Sequence, residues 1–158
     1  PYGGYWMAKA YKIPNNFNAS SIPGEEVTDK VPINRLNVRS FWVLPDPTAD
    51  AVTVATGDTL PLEGIAFDQG HGIKQVEFSA DNGVNWQAAT LGKDHGPFAL
   101  RRWRANWQPP AAGQYRLWVR VFNNAGQTQP PQAKWNEGGY MRNVIETVTV
   151  NVRKGGAV

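Results

Sequence analysis

Gln114-Tyr115-Arg116-Leu117-Trp118-Val119-Arg120-Val121-Phe122 is the stretch on which the fold turns. Successive side chains of a strand point to opposite faces, so a period of two sorts the run into two sets. Tyr115, Leu117, Val119 and Val121 make one face, and alternation predicts it as core. Arg116, Trp118, Arg120 and Phe122 make the other. That second face is either solvated, with stacked side chains, or an interface. Aromatic and arginine side chains are enriched at protein contacts, which favours the interface.

Outward from this strand the same period recurs. Leu36, Val38 and Ser40 alternate with Asn37, Arg39 and Phe41 until Pro45-Asp46-Pro47 breaks the run. Thr59 to Phe67 reads as a second strand, with Leu62, Gly64 and Ala66 on one face and close packing expected at the glycine. Val76 and Phe78 alternate with Gln75 and Glu77. Asn82-Gly83 then predicts a hairpin turn into Val84-Asn85-Trp86, because both turn residues tolerate positive φ. Phe98 to Trp107 is a further predicted strand, with Trp103 and Trp107 inward and Arg102, Arg104 and Asn106 outward. Glu146 to Val152 is the last, with Val148, Val150 and Val152 on one face. Helical periodicity with caps is missing from the sequence. About seven short strands separated by turn signals predict an all-β chain. The expected architecture is an immunoglobulin-like β-sandwich of the E-set type, preceded by an irregular N-terminal extension.

Composition narrows the function classes. The 158 residues carry a net charge of +3 and include seven Trp and no Cys. Disulfides, thiolate metal sites and cysteine nucleophiles are thereby excluded. Apolar runs are too short to span a membrane as a helix. The densest cationic run, Arg101, Arg102 and Arg104, lacks the broad basic face and motif expected of a nucleic-acid binder. His71 and His95 sit apart in glycine-containing loops and do not make a metal site, which takes three or four ligands. Neither a Gly-x-Ser-x-Gly elbow nor a phosphate-binding glycine loop occurs. The beginning, Pro1 to Lys12, lacks the pattern of a signal peptide and has no initiator Met, as if cut from something longer.

The most unusual stretch is Trp135-Asn136-Glu137-Gly138-Gly139-Tyr140-Met141-Arg142-Asn143-Val144. A long polar and aromatic loop between strands is where function usually sits. Arg142 presents its guanidinium either to an oxyanion or to the face of Tyr140 or Trp135, and spacing leaves both open.

Four segments together resemble one family. They are Gly4 to Lys12, Pro32 to Ser40, Gly72 through Trp86, and Gln129-Pro130 followed by Trp135-Asn136, Gly139-Tyr140 and Asn143. They look like the dimerisation domain of molybdenum-cofactor oxidoreductases, the sulfite oxidases, plant-type nitrate reductases and bacterial sulfite or sulfane dehydrogenases. The resemblance implies that residues 1–35 are the tail of a molybdenum-cofactor domain and its connecting segment, 36–154 the dimerisation domain and 155–158 a tail. It implies a parent enzyme carrying molybdopterin in a missing upstream domain, whose cysteine holds the metal. This chain would bind no cofactor and no metal and catalyse nothing alone. The implied chemistry is oxidation of sulfite to sulfate with electrons passed to cytochrome c, or the sulfane-dehydrogenase variant. The implied partners are the molybdenum domain and a second copy in a homodimer, and bacterial likeness implies a periplasmic location. The loop near the active site would be Trp135, Asn136, Tyr140 and Asn143. In some members an arginine precedes a glycine of this loop, but here that position is Gly138, so the substrate-pocket role passes to Arg142. The face of Arg116, Trp118, Arg120 and Phe122 would be interface. Against all this stands a free-standing module for carbohydrate or protein. In its carbohydrate form it requires an open platform drawn from Trp103, Trp118 and Trp135.

Overall fold

The computed structural model describes residues 3–49 and 51–155. Pro1 and Tyr2 of the expected head, and the expected tail beyond Gly155, lie outside the described residues. One helical turn, α1 (Tyr5–Ala8), comes first. β1 (Lys12–Pro14) and β2 (Lys30–Pro32) then pair antiparallel as a small separate sheet. A four-stranded sheet runs in the order β3 (Arg39–Leu44), β5 (Leu60–Phe67), β9 (Arg101–Trp107) and β8 (Thr90–Leu91). A five-stranded sheet runs β4 (Val52–Ala55), β11 (Glu146–Arg153), β10 (Gly113–Asn123), β6 (Ile73–Ser79) and β7 (Gln87–Ala88). The two sheets form the expected immunoglobulin-like sandwich. The chain changes sheets within three residues, since β7 pairs with β6 while β8 pairs with β9.

Alternation built the core as the sequence predicted. Leu117, Val119 and Val121 of β10 are fully buried. They face Trp103, Leu62, Ala66 and Trp42 of the other sheet, with Val148, Val150 and Val152 beside them. Trp103 and Trp107 point inward, and Arg102 and Arg104 stay exposed. Trp42 and Trp103 meet edge to face at 5.3 Å, a geometry the ring quadrupoles favour. Gly64 makes this possible. A Cβ there would strike the Phe41 carbonyl oxygen and the Trp103 ring.

Five features depart from expectation. Asn82 and Gly83 do adopt positive φ, at 59° and 84°, but the following strand is not Val84 to Trp86. Pairing resumes only at Gln87 and Ala88, because the Asp81 carboxylate and the Ser79 hydroxyl capture the backbone N–H groups of Asn85 and Gly83 and close a wider turn. The strand expected from Phe98 starts at Arg101, and Phe98 is 82% exposed. The strand expected from Leu36 starts at Arg39. β4 was not anticipated at all. It joins β11 in parallel, and a four-residue edge strand gives too little period-two signal to read. The irregular head is also more ordered than expected, with α1 and the β1–β2 ladder inside it.

One polar side chain bridges the two sheets inside the core. Gln129, 2% exposed, accepts the Ser40 N–H at 3.0 Å and donates to the carbonyls of Ser40 and Val144. Ser40 Oγ in turn accepts the Trp103 indole N–H at 2.8 Å. β3 is thereby tied to the chain entering β11.

Replacing Gln129 by Leu leaves a buried N–H and two carbonyls without these partners. The expected loss is about 2–4 kcal/mol, read as a fall of roughly 5–15 °C in thermal midpoint. The turn after β6 carries a pH signature. The Asn85 backbone N–H, the Ser79 hydroxyl and the Asn85 amide hold Asp81 down at about 2, against an ordinary 3.8. A folded value below the unfolded one means its contribution is complete above pH ~4 and is lost as pH falls toward 2. Amide exchange at Gly83 and Asn85 should accelerate over that acid window, before β10 amides respond.

Candidate functional site

The loop between β10 and β11 leaves the sandwich through a closed neck. Ile145 N–H donates to the Pro130 carbonyl at 3.0 Å, beside the Gln129 bond to Val144. Above the neck, Asn136 organises the tip. Its side-chain oxygen accepts the Tyr140 N–H at 3.0 Å, and its Nδ2 donates to the Tyr140 carbonyl at 2.7 Å and the Ala19 carbonyl at 2.9 Å. Asn136 is 5% exposed. Gly139, at φ 66°, closes the turn by donating its N–H to the Asn136 carbonyl. The Tyr140 ring lies where a side chain at position 138 would stand, so a residue larger than glycine there would have to displace that ring.

The same loop clamps the head. Ser21 N–H donates to the Trp135 carbonyl at 2.8 Å, and Asn37 Nδ2 donates to the Met141 carbonyl at 2.8 Å. Lys30 pairs with Glu137 at 2.7 Å, and its hydrogen bond and charge hold that carboxyl below its ordinary value. Tyr5, Trp6, Tyr11 and Tyr140 run ring to ring at 5.2, 5.4 and 5.7 Å from the head to the loop. Trp135 is 43% exposed. Asn143 donates to the Val38 carbonyl at a long 3.4 Å. The structure thus gathers Asn136, Tyr140 and the head into one unit, with Trp135 at its rim.

Arg142 stands apart from the tip. Its half-exposed guanidinium pairs with Glu146, which also takes Nε and Nη2 of Arg39 at 3.2 and 2.7 Å. Among the described residues Arg142 stacks on neither of the rings left open by spacing, Tyr140 and Trp135; Arg39 stacks instead, on Phe41 at 4.9 Å. Two guanidinium groups on one carboxylate leave a positive charge at the foot of the loop, which attracts anions. Arg39 was not singled out from sequence. Alternation set it on the face opposite Val38 and Ser40, but its partner is 107 residues away.

The Arg116, Trp118, Arg120 and Phe122 side chains lie on the outer face of the five-stranded sheet. Arg120 stacks on Trp86 at 3.8 Å and on Phe122 at 5.1 Å, and its Nη2 pairs with Glu77 at 2.7 Å. Arg116 is exposed and joins no ion pair among the described residues. Trp103 is fully buried, which removes it from any open tryptophan platform. Both histidines are exposed, and the described residues contain no group of three metal-ligating side chains. Asp46, Asp81, Asp94 and Glu137 are all held below their ordinary values by hydrogen bonds. A general acid working near neutral pH needs the opposite displacement.

Asn136→Ala removes three hydrogen bonds from the join of loop and head. Amides of residues 11–22 and 136–141 are expected to exchange at least about tenfold faster, the scale of one net hydrogen bond or more, with β10 amides unaffected.

Comparison with known proteins places the chain. The family described as the Mo-co oxidoreductase dimerisation domain matches residues 30–153. Human mitochondrial sulfite oxidase is 31% identical over 159 aligned residues, covering 94% of this chain and 28% of that protein. Barley nitrate reductase [NAD(P)H] is 27% identical over 130 residues, covering 76% of this chain and 15% of its own length. Among solved structures, the sulfane dehydrogenase SoxCD of Paracoccus pantotrophus covers 97% of this chain and 39% of that one, with a TM-score of 0.69 at 20% identity, a likeness of fold. The chain spans well under half the length of these relatives. A sandwich in this topology, matched by the family model across both sheets, belongs to the dimerisation-domain family of molybdenum-cofactor oxidoreductases.

Proposed function

We propose that this chain is the rear part of a sulfite-oxidising molybdenum enzyme, converting sulfite to sulfate and passing electrons to cytochrome c. The observation that carries this is the 31% identity to sulfite oxidase, which runs through the head as well as the sandwich. The loop–head unit supports it physically, because residues before the sandwich are hydrogen-bonded to the loop after β10 rather than hanging free.

The chain's own residues do not fit a molybdenum site. It has no cysteine, and its described residues gather no ligand cluster. Molybdopterin would be held by an upstream domain, where it would supply oxygen-atom transfer. In this division of labour the sandwich keeps the loop rigid, and Arg142 with Arg39 presents positive charge toward an arriving oxyanion. A periplasmic location and a cytochrome c acceptor accompany the likeness to bacterial members. The outer face of Arg116, Trp118, Arg120 and Phe122 is the surface for a second copy. Its arginine–aromatic composition is that of contact hot spots.

Two measurements test this. The full-length parent, loaded with molybdenum, should reduce ferricytochrome c when given sulfite; no sulfite-dependent reduction, with nitrate reduced to nitrite at the expense of an added reduced dye, would reject the sulfite assignment. Sedimentation of the 158-residue chain should show a concentration-dependent dimer. Arg116→Glu, which breaks no internal ion pair, should weaken that dimer about tenfold or more while leaving the thermal midpoint unchanged. A chain that stays monomeric at tens of micromolar would remove the homodimer from the proposal.

A further inference from the structure

Away from the loop–head unit, the hairpin joining β8 to β9 encloses a cleft of about 410 Å3, within the size range of small-molecule sites. We infer that it is a binding site for a small amphiphilic carboxylate, one carboxylate carried on an apolar body.

The strand period sets the charge of the cleft. Arg102 and Arg104 stand two apart on β9, so both guanidinium groups project from the outer face of the four-stranded sheet, and Arg101 projects from the other. Arg101 pairs with Asp94 at 2.6 Å and draws the only carboxylate of residues 92–100 to its own side. The Gly96 N–H donates to that carboxylate at 2.9 Å and, with Arg101, holds Asp94 below its ordinary value. Lys93 and His95, its neighbours in sequence, line the cleft, and Asp94 does not. Three permanent cations, Lys93, Arg102 and Arg104, thus converge on one concavity without a lining carboxylate. Glu63 reaches Arg104 at 3.3 Å from β5, but Lys93 and Arg102 join no ion pair among the described residues. Like charges gathered in this way repel, and a bound anion offsets the repulsion. Guanidinium presents paired N–H donors that match the two oxygens of a carboxylate.

A second observation is independent of charge. Leu91 and Leu100 line the same cleft, and Leu100 is 56% exposed. A bare inorganic ion leaves these side chains in water, whereas an apolar body attached to the anion covers them. Both ends of the hairpin are held in place. Gly92 N–H donates to the Arg102 carbonyl at 2.8 Å, and the Phe98 ring lies against Gly70, where a β-carbon would strike it. The concavity suits a small ligand better than a folded partner, because stable protein contacts need a broad surface.

The cleft shares no residue with the loop–head unit or with the Arg39–Arg142 pair, so its failure would leave the molybdenum assignment where it stands. The test is a nuclear magnetic resonance titration of the isotope-labelled 158-residue chain with sodium octanoate, kept below its micelle-forming concentration. Sodium acetate and octanol are the controls, at constant ionic strength. Octanoate should shift the Leu91, Gly92, Leu100 and Arg102 amides saturably. Acetate and octanol should each bind at least about tenfold more weakly, since each keeps only one half of the recognition. Arg102→Gln should weaken octanoate by about tenfold, the scale of a charge-assisted hydrogen bond, and Arg102→Lys should restore part of the loss. Leu100→Ala should weaken it by about fivefold, the scale of partly uncovering the apolar body. Glu63→Gln frees Arg104 and should tighten octanoate by about threefold, the opposite direction to a loss of folding. No saturable shift at these amides, acetate as tight as octanoate, or variants indistinguishable from the parent chain would each overturn the site. A polyglutamate peptide shifting the same amides while octanoate leaves them unmoved would also overturn it, and would give the surface to an acidic protein.

Discussion

The structure depends on one buried carboxamide. Gln129 meets both the N–H and the carbonyl of Ser40 in one sheet and the Val144 carbonyl at the edge of the other. Core residues such as Leu117, Val121 and Val150 could settle against the facing sheet in several nearby registers, since apolar contact has no direction. Hydrogen bonds do have direction, and leaving them unmade in a dry interior is costly. The carboxamide therefore selects one alignment of β3 against the start of β11. The Ser40 hydroxyl extends the selection to the Trp103 indole. The backbone of Glu146 takes the Trp42 indole N–H at 3.2 Å, a second tie across the same edge.

That alignment positions everything above it. With the neck at Pro130 and Ile145 closed, the long loop becomes a fixed excursion whose tip returns to the head. Asn136 then bonds to Ala19, and Lys30 meets Glu137. The head has little core of its own beyond Ile13 and Ala19. Its order is borrowed from the loop, and the loop's order is borrowed from the core. Positive charge gathers at two levels of this assembly. Arg39 and Arg142 share Glu146 at the foot, and Lys9, Lys12 and Lys30 line a recess at the tip. The outer face of the five-stranded sheet carries the arginine–aromatic stack around Arg120. Concentrated positive charge and the arginine–aromatic stack are thus kept on different parts of one scaffold.

The sandwich was legible because each long strand repeats a two-residue signal several times. Val119 in and Arg120 out, or Trp103 in and Arg104 out, need no knowledge of partners. β4, β7 and β8 were not legible, because two to four residues hold too few alternations, and their pairing is set by β11, β6 and β9. The candidate loop was visible by composition, and Trp135, Asn136 and Tyr140 do gather with the head. Asn136, however, works as a hydrogen-bonding organiser, a role that composition does not reveal. Arg39 escaped notice because its carboxylate partner is 107 residues away.

The sequence by itself determined the strands, their inward faces, the absence of a thiolate ligand and, through its ordered motifs, the family. Those properties depend on residue type and on short-range periodicity, and both are local. Only the tertiary structure decided which charges meet. That Arg142 shares its carboxylate with Arg39, and that Lys12 and Lys30 open on one recess, follows from sheets packed in one alignment by a glutamine in the core. Electrostatic partnership depends on distance in space, and the chain's numbering carries no distance until the fold supplies it.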